Sequence, residues 1–565
     1  MRRRGRFTGF LRRGREMRLA RGLFFTAMLL LVGVGAAAAA LHPIELAADD
    51  SRITLVDRTK DELRFRVEVG ELTGMDVETE EGSFTRLLIP GFHSSKKVGS
   101  PEIPMMNRLI EIPFGAEARV EIVSALSRTI RLEEYGIANR LMPAQPSMSK
   151  GDDPSAVPFA YDESAYAVDR VAQELVRTED LGQMRAVRIG RVDVSPVEYY
   201  PARGEIVVHE AIEFRVVFEN ADHAAGDALK ARLWSPFFEP VYEQLVGYQA
   251  TRSTHDDHPD LVRDLVTYVI ITPSSYLPTL QPFIEWKTER GFVVVVGEIG
   301  SPEVGTTTTS IESYINGLYN NPTPERPAPS FVLFAGDTPQ VPTYSTSNGA
   351  SDRNYCDVTG DLAPEIYYGR FPAATVTHLE AMVEKTLMYE QFTMPDPAYL
   401  EEVVMIAGVD GSFGQVYANG QINYGTTHYF NSAHGILSHT HLYPQSGSDD
   451  ALIVQEVSNG CAYVNYTAHG SQTSWSDPTF TQANVRSLAN NGEYCLAVGN
   501  CCLAASYNVS ECFAETWLRE ANKGAIGYIG GSNNTYWDED YWWGVGYGTI
   551  VQFPVYENFG LGAYD

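Results

Sequence analysis

The sequence predicts an all-β domain followed by an α/β domain with a mostly parallel sheet. Short runs that alternate apolar and polar residues extend from about residue 44 to residue 220, a pattern typical of antiparallel strands. From about residue 265, continuous apolar runs alternate with helical stretches, as in α/β domains. All six cysteines lie in the last 210 of the 565 residues, which also sets the second region apart from the first.

The amino terminus is strongly basic and then apolar. Nine arginines lie in the first 21 residues, and the run LFFTAMLLLVGVGAAAAA follows them. This pattern is typical of a secretory signal peptide, so residues 1–40 are assigned to a signal that is cleaved near residues 38–40. A retained amino-terminal anchor is the alternative, since the run is near the lower length limit for a membrane span. The AxA-like ending suggests bacterial export to the medium or the cell surface, without membrane contact after cleavage.

Residues 41–220 form the predicted β-rich domain. Segments such as LRFRVEVG and GEIVVHEAIEFRVVF alternate apolar and polar residues, and Pro and Gly separate the runs. This sequence pattern indicates an antiparallel sandwich or barrel. Residues 221–264 are predicted to be a linker, with a helix near residues 225–248 and then the polar stretch TRSTHDDHPD.

In residues 265–565, predicted strands alternate with predicted helices. The strands are TYVIIT, FVVVVGE, FVLFAGD, EIYYGRF, VVMIAGVD, CAYVNYTAHG, YCLAVGNCC and AIGYIGG. The helices are YLPTLQPFIEWKTER, residues 311–319, residues 378–391 and CFAETWLREANKG. Apolar strands between helices indicate a mostly parallel sheet covered on both faces. Ligands of such sheets bind beyond the carboxyl ends of the strands.

The charge balance limits the expected partners. The formal net charge is −29, from 43 basic and 72 acidic residues, and nine of the basic ones lie in the predicted signal. An acidic chain of this kind argues against nucleic acid and anionic lipid as partners. The sequence contains no phosphate-binding loop, dinucleotide fingerprint or EF-hand loop, so we predict no organic cofactor.

Two of the predicted strands end in residues that suit a cysteine nucleophile. His469 and Gly470 lie near the end of CAYVNYTAHGS, and Cys501 and Cys502 are the last two residues of YCLAVGNCC. If these strands are neighbours in a parallel sheet, the imidazole and the thiol emerge at one edge, where the base can take or share the thiol proton. A hydrogen-bonded loop histidine and a buried structural cysteine are the alternatives, and spacing alone leaves them open.

Longer blocks around these residues resemble the gingipain family of cysteine peptidases. The blocks are YTAHGSQTSWSDP, ECFAETWLR, SDRNYCDVTGDLAPEIYYGRFP and SNNTYW. The resemblance implies a caspase-like α/β catalytic domain over residues 265–565, and it identifies the all-β region, with GSPEIPMMNRLIEIPFGA, as a propeptide domain. The implied function is a secreted cysteine endopeptidase that hydrolyses polypeptides through a Cys-His thioester mechanism. It would be made as a latent proenzyme, with its own propeptide as an intramolecular inhibitor.

The resemblance also implies catalytic residues. His469 matches the catalytic histidine and Cys502 the nucleophile, although counting back from CFAE without a gap would choose Cys501. The backbone amides of Gly470 and Cys502 would form the oxyanion hole. Asp352, in SDRNY, matches the acid that orients the histidine, a role like that of the acid in other triads. A turn in a polar loop is the alternative reading of Asp352.

Two further residues match the specificity pocket of arginine-specific members. A buried carboxylate at Asp361 would pair with a guanidinium, and Trp537 would form an aromatic wall. The resemblance therefore implies a preference for Arg before the scissile bond, although Asp361 could equally cap a turn or bind a structural cation. With such a preference, Arg252 and Arg263 in the linker are candidate processing sites.

Several expectations concern metals, the chain end and rival functions. The resemblance implies no metal in the chemistry, but structural calcium in the catalytic domain. The chain ends at FGLGAYD, earlier than family members usually end, so we expect a catalytic domain truncated at its carboxyl terminus. An inactive exported binding or adhesion protein on the same scaffold is one alternative. A metal hydrolase is another, whose candidate ligands lack the HExxH spacing: His428, His434, His439 and His441.

Overall fold

A computed structural model describes residues 40–48, 50–250 and 264–565. The predicted signal peptide and the candidate processing sites Arg252 and Arg263 lie outside the described residues. Within the described residues, none of the helices has the length and apolar character needed to cross a membrane.

The region before residue 250 consists mainly of antiparallel strands. The strands are β1 Leu41–Glu45, β2 Arg52–Arg58, β3 Glu62–Glu68, β4 Glu71–Thr79, β5 Gly82–Leu88, β6 His93–Ser94, β7 Pro104–Ile112, β8 Glu117–Arg131, β9 Arg140–Leu141, β10 Val176–Met184, β11 Val187–Val194, β12 Val197–Tyr200 and β13 Glu205–Glu219. Along β13 every second residue is buried, from Ile206 to Phe218, because successive side chains of a strand point to opposite faces. The alternation that predicted these strands therefore reflects one buried face.

These strands form three sheets around a shared core. Their orders are β1-β4-β5-β9, β10-β11-β7-β6 and β12-β13-β3-β2, and β8 also pairs with β13. Only the short pair of β5 and β9 is parallel among the described pairs of this region. Buried residues from several strands, such as Phe65, Ile110, Val194 and Phe214, belong to one hydrophobic cluster. The predicted all-β domain is confirmed.

Three helices accompany these sheets: α1 Glu163–Tyr166, α2 His223–Leu233 and α3 Glu239–Tyr242. The sequence predicted a single helix near residues 225–248, whereas the structure ends α2 at Leu233 and starts α3 at Glu239. Pro236 lies between them. A proline disfavours helical backbone in the residue before it, which explains the break.

The region from residue 264 alternates parallel strands and helices. Its strands are β14 Val266–Pro273, β15 Phe292–Ile299, β16 Phe331–Ala335, β17 Tyr344–Thr346, β18 Gly349–Ser351, β19 Tyr367–Phe371, β20 Glu402–Ala407, β21 Leu437–His441, β22 Tyr463–Thr467, β23 Gly470–Ser471, β24 Ser474–Trp475, β25 Phe480–Thr481, β26 Cys495–Asn500 and β27 Ala525–Gly530. Its helices are α4 Leu277–Glu289, α5 Thr308–Asn320, α6 Val376–Glu390, α7 Asn419–His428, α8 Asp450–Ser458, α9 Gln482–Ser487, α10 Phe513–Arg519 and α11 Trp537–Val545.

The parallel strands divide into two sheets. The first has the order β15-β14-β16-β19, and the second has the order β21-β20-β22-β26-β27. The α/β class and the parallel pairing are confirmed, while the sequence predicted one sheet and missed β21. This strand, LSHTH, is an edge strand with mostly polar residues, so it lacks the apolar run that identified its neighbours.

The register of the second sheet determines where the site forms. Strands β22 and β26 are parallel neighbours, with Thr467 opposite Asn500 at their carboxyl ends. The residues that follow each strand, His469 on one and Cys501 and Cys502 on the other, therefore emerge at the same edge of the sheet.

Candidate active site

Gly470 brings the histidine loop against the cysteine loop. A Cβ atom at Gly470 would lie 2.5 Å from Cys501 Sγ and 2.8 Å from the Cys502 carbonyl oxygen. Such distances are closer than a real side chain tolerates, so only glycine permits this approach. The sequence prediction that the imidazole and the thiols share one edge agrees with this placement.

The two adjacent cysteines have different surroundings. Cys501 is fully buried, and burial raises the pKa of its thiol far above the usual range. Burial also raises the pKa of Cys502, but the Thr535 backbone and the Lys150 ammonium oppose that effect. The Thr535 N–H donates to Cys502 Sγ at 3.4 Å. Lys150 lowers the pKa of both thiols, and burial still leaves both raised, so the hydrogen bond from Thr535 is what distinguishes Cys502 from Cys501.

His469 is held at both ring nitrogens. Its Nδ1 lies 2.6 Å from the carbonyl oxygen of Lys150, and its Nε2 lies 2.9 Å from Asp410 Oδ2. Burial raises the pKa of Asp410, but hydrogen bonds from His469 and from two backbone amides outweigh it and leave this pKa lowered. The Lys150 carbonyl oxygen therefore occupies one ring nitrogen and Asp410 occupies the other. With both partners in place, neither nitrogen of His469 is free to contact a thiol or a water molecule.

Asp352 lies in a buried ion pair away from this contact. Its two oxygens accept hydrogen bonds from Arg370 Nε and Nη2, both at 2.8 Å, and Oδ1 also accepts from Thr343 at 2.9 Å. The acid that contacts His469 is Asp410, whereas Asp352, the acid expected from the sequence to orient the histidine, contacts Arg370. Asp352 instead satisfies a buried arginine, which fits a polar residue in a structural loop.

Sequence reasoning missed Asp410, although a signal was present. The predicted strand VVMIAGVD ends in this aspartate. In the structure, β20 is the other neighbour of β22, with Ala407 opposite Thr467. An acid just beyond the end of β20 therefore reaches the same edge as His469. To connect Asp410 with His469, one has to know that β20 and β22 are neighbours in the sheet, and the sequence alone does not reveal the order of the strands.

A pocket beside His469 encloses the side chain of Lys150, from the all-β region. The Lys150 side chain is 0% exposed, and its Nζ lies 2.7 Å from Asp540 Oδ2. The same Nζ donates to the Asn500 carbonyl oxygen at 2.8 Å and to Thr467 Oγ1 at 3.3 Å. It also lies 4.7 Å from the ring centroid of Trp537, a cation–π distance.

The two residues expected in the specificity pocket have separate positions. Trp537 lies in the Lys150 pocket and also meets the His469 ring edge to face, with centroids 5.5 Å apart. Asp361 does not pair with Lys150; its Oδ1 accepts from the Ala363 N–H at 3.0 Å and its Oδ2 from the Gln183 N–H at 2.6 Å. In the structure Asp361 caps a turn, which was the alternative interpretation of this residue. The acid that lies in the Lys150 pocket is Asp540, for which the sequence predicted no role.

The chain around Lys150 also pairs through its backbone. The Lys150 N–H donates to the Thr535 carbonyl oxygen at 2.8 Å, and the Trp537 N–H donates to the Met148 carbonyl oxygen at 2.9 Å. Ser149 forms an antiparallel bridge with Tyr536. An extended segment of the all-β region therefore lies along the site as a short strand and covers it.

Two of the four histidines considered as metal ligands are engaged by nearby carboxylates. His439 contacts Glu402 and Glu456, and His441 contacts Asp449 and Glu456. Among the described residues, no group of three or more His, Cys, Asp or Glu side chains is arranged to hold a metal ion. Structural calcium stays a prediction. All six cysteines are free and buried.

Comparisons with known proteins agree with this architecture. The family model described as "Peptidase family C25" matches residues 263–557, and the model "Propeptide_C25" matches residues 48–233. Lys-gingipain W83 of Porphyromonas gingivalis is 38% identical over 96% of this chain and 31% of its own length. Gingipain R2 of the same species is 25% identical over 84% of this chain and 63% of its own length.

A solved structure described as "Structure of Protease" is 36% identical with a TM-score of 0.51, and the match covers 55% of this chain and 69% of that one. The match to Lys-gingipain W83 covers 31% of that protein, so this chain spans about a third of the length of that relative. The resemblance read from the sequence blocks around His469 and Cys502 is confirmed. The chain belongs to peptidase family C25, the gingipain family of cysteine endopeptidases, and carries the propeptide of that family in front of its catalytic region.

Proposed function

We propose that this chain is the exported, latent precursor of a cysteine endopeptidase that cleaves polypeptides after lysine. Cys502 is the nucleophile, His469 the acid–base group, Asp410 the acid that orients it, and Asp540 the acid of the specificity pocket. The observation that carries this proposal is the buried ammonium of Lys150 beside His469. A lysine bound in this pocket supports a preference for lysine side chains.

The pocket suits an ammonium group better than a guanidinium group. Three acceptors, on Asp540, Asn500 and Thr467, converge on the single Nζ atom, and an ammonium has three N–H donors. A guanidinium would present a planar fork that calls for paired, in-plane acceptors. The arginine preference expected from Asp361 therefore has no support here. The name Lys-gingipain of the 38% identical relative points the same way.

The proposed reaction proceeds through a thioester. The Cys502 thiolate attacks the carbonyl carbon of the lysyl peptide bond, and backbone amides of Gly470 and Cys502 stabilise the resulting oxyanion. His469 then gives its proton to the departing amine, which breaks the C–N bond. Water, deprotonated by His469, attacks the thioester, releases the acid product and regenerates the thiol.

Latency follows from the same contacts. The Lys150 side chain fills the pocket, and its carbonyl oxygen is bound to His469 Nδ1. With Nδ1 occupied by the Lys150 carbonyl oxygen and Nε2 by Asp410, neither nitrogen of His469 can reach a thiol, a departing amine or water. Removal of the propeptide frees Nδ1 and empties the pocket for a substrate lysine.

The test is hydrolysis of fluorogenic peptides that end in Lys, Arg, Asn or an apolar residue. The full chain is cut in its linker by limited trypsin treatment, the trypsin is stopped with a serine-protease inhibitor, and the propeptide is then separated from the catalytic region by dilution and chromatography. We expect hydrolysis of the Lys peptide under reducing conditions, loss in Cys502→Ala and retention in Cys501→Ala. Cys502→Ala treated in the same way also measures residual trypsin.

Asp540→Asn tests the pocket, and Glu380→Gln, an exposed acid on α6, is its matched control. Asp540→Asn should raise KM for the Lys peptide by about 100-fold, the size expected when one partner of a buried charge pair is removed, whereas the control should change it less than twofold. Equal cleavage of all four peptides would refute the lysine preference. Absence of both hydrolysis and thiol labelling in the folded catalytic region, after the propeptide has been removed, would support the inactive scaffold.

A further inference from the structure

The propeptide has a second buried cation, far along the chain from Lys150. Arg185 lies at the tip of the hairpin between β10 and β11, here called the hairpin tip and defined as residues 183–186. It is 1% exposed and has a positive φ of 55°. A fully buried guanidinium is costly unless its donors are satisfied, so its partners show what holds the tip in place.

The Arg185 guanidinium donates to four backbone carbonyl oxygens on three segments of the chain. Nε donates to Leu233 at 2.8 Å, Nη1 to Pro329 at 2.6 Å and to Glu365 at 3.0 Å, and Nη2 to Ala328 at 3.3 Å. Three of these carbonyls belong to the catalytic region. No carboxylate within the described part of the chain lies at ion-pair distance from Arg185, so backbone carbonyl dipoles offset much of its charge.

Aromatic rings complete the enclosure. The Arg185 guanidinium carbon lies 5.0 Å from the ring centroid of Phe238 and 5.4 Å from that of Tyr319, within cation–π range. Phe238 in turn stacks on Tyr367 of β19, with centroids 4.2 Å apart. The hairpin tip is thus enclosed by groups from both regions.

Neighbouring contacts extend this interface. The Gln183 N–H donates to Asp361 Oδ2 at 2.6 Å, and the hydroxyls of Ser235 and Ser330 are 2.8 Å apart. Ala186 packs against a buried cluster of the catalytic region that includes Val332. Asp361 therefore contributes to binding the hairpin tip.

This interface and the Lys150 pocket lie on different sheets. Ala328 and Pro329 precede β16, and Glu365 precedes β19, so the hairpin tip binds at the amino ends of strands in the first sheet. Lys150 binds beyond the carboxyl ends of β22 and β26 in the second sheet. The two contacts share none of the hydrogen-bond partners named above.

We propose that the amino ends of the first sheet form a second docking site, selective for the arginine-tipped hairpin of the propeptide, which holds the propeptide on the catalytic region independently of Lys150. Arginine suits the site because its planar group has five N–H donors that can reach several carbonyls at once, whereas lysine has three donors on one atom. Cutting the linker therefore leaves the propeptide bound at two points. The site binds the propeptide whether or not the chain cleaves after lysine.

The experiment uses the full chain with Cys502→Ala, cut in the linker by limited trypsin treatment and checked by mass. Size-exclusion chromatography and dilution measure how fast the propeptide dissociates. We expect Arg185→Ala and Arg185→Lys each to accelerate dissociation at least tenfold. The matched control is Arg188→Ala, because Arg188 also donates to backbone carbonyls, those of Pro113 and Ala116, but only inside the propeptide.

Lys150→Ala in the same background tests independence. We expect this variant to retain much of its propeptide through Arg185, and the double variant with Arg185→Ala to multiply the two effects on the dissociation rate. Thermal unfolding of the uncut variants checks that they fold, and Arg185→Lys decides the outcome if Arg185→Ala does not. Equal dissociation rates for the Arg185→Lys and Arg188→Ala variants would overturn the proposal, as would complete release by Lys150→Ala alone.

Discussion

At the scale of single residues, His469 shows why a catalytic acid has to be identified by geometry. Asp352 and Asp410 are both aspartates that follow a strand, and sequence motifs favoured Asp352. In the structure Asp352 is bound on both oxygens by Arg370, while Asp410 contacts His469 Nε2. The two acids therefore have different contacts, and we propose that Asp352 stabilises the fold and Asp410 orients the imidazole.

Replacing each acid by its amide separates these tasks. Asp410→Asn should lower kcat of the processed enzyme roughly 100-fold, a smaller loss than that of a serine protease without its acid, since a thiol ionises more readily than a hydroxyl. Asp352→Asn should leave kcat within a fewfold range but lower the free energy of unfolding by about 3 kcal/mol, because Arg370 stays buried and unpaired. Peptide hydrolysis and denaturant unfolding measure the two quantities; the opposite pattern would return the orienting role to Asp352.

At the scale of elements, the turn from Asp357 to Glu365 depends on one buried carboxyl group. Glu365 is 0% exposed and accepts hydrogen bonds from the backbone of Val358 and from the hydroxyl of Thr359. Burial raises the pKa of Glu365 from 4.5 to about 7, against the effect of these hydrogen bonds. The folded chain therefore binds a proton here at pH values where the unfolded chain has lost it.

Stability should consequently fall as the pH rises through this interval. A pKa raised in the folded state contributes stability that is complete below pH 4.5 and lost progressively up to about pH 7. Glu365→Gln, which cannot ionise, should flatten this decline in the unfolding midpoint between pH 5 and 8. Glu515, whose pKa burial also raises to about 7, accounts for part of the slope that remains. An unchanged slope in Glu365→Gln, with the exposed Glu45→Gln as control, would contradict the assignment.

The elements themselves were largely predictable from the sequence, and their mutual placement was not. Apolar runs such as VVMIAGVD and YCLAVGNCC identified β20 and β26, because strands buried on both faces contain few polar residues. The prediction of one sheet instead of two failed because periodicity carries no information on strand order. For the same reason, the sequence could not indicate that Asp410 lies beside His469. Lys150 lies in the polar stretch SMSKGDD, and nothing in that stretch distinguishes a pocket-filling lysine from a solvated one.

At the scale of the whole molecule, buried charges join the two parallel sheets. Arg519 forms an ion pair with Asp337 at 2.8 Å. Arg519 lies on α10, which follows β26 of the second sheet, and Asp337 follows β16 of the first sheet. Lys385 on α6 donates to four backbone carbonyls at the end of α10 and just beyond it, between Trp517 and Lys523. These contacts fix α10 against the first sheet. Because Cys502 lies on the chain between β26 and α10, they also limit how far its loop can move.

In the proposed latent state, the side chain of Lys150 from the propeptide fills the pocket of the catalytic region. Lys150→Met keeps a similar stem but removes the charge that pairs with Asp540 at 2.7 Å. Since one partner of a buried pair is worth several kcal/mol, we expect the uncut chain to become roughly 10- to 100-fold more active on a Lys peptide. Lys97→Met, an exposed lysine of the same region, is the matched control. Uncut Lys150→Met that stays as inactive as the parent, yet becomes active after linker cleavage, would place latency in the backbone pairing of Met148 and Lys150 instead.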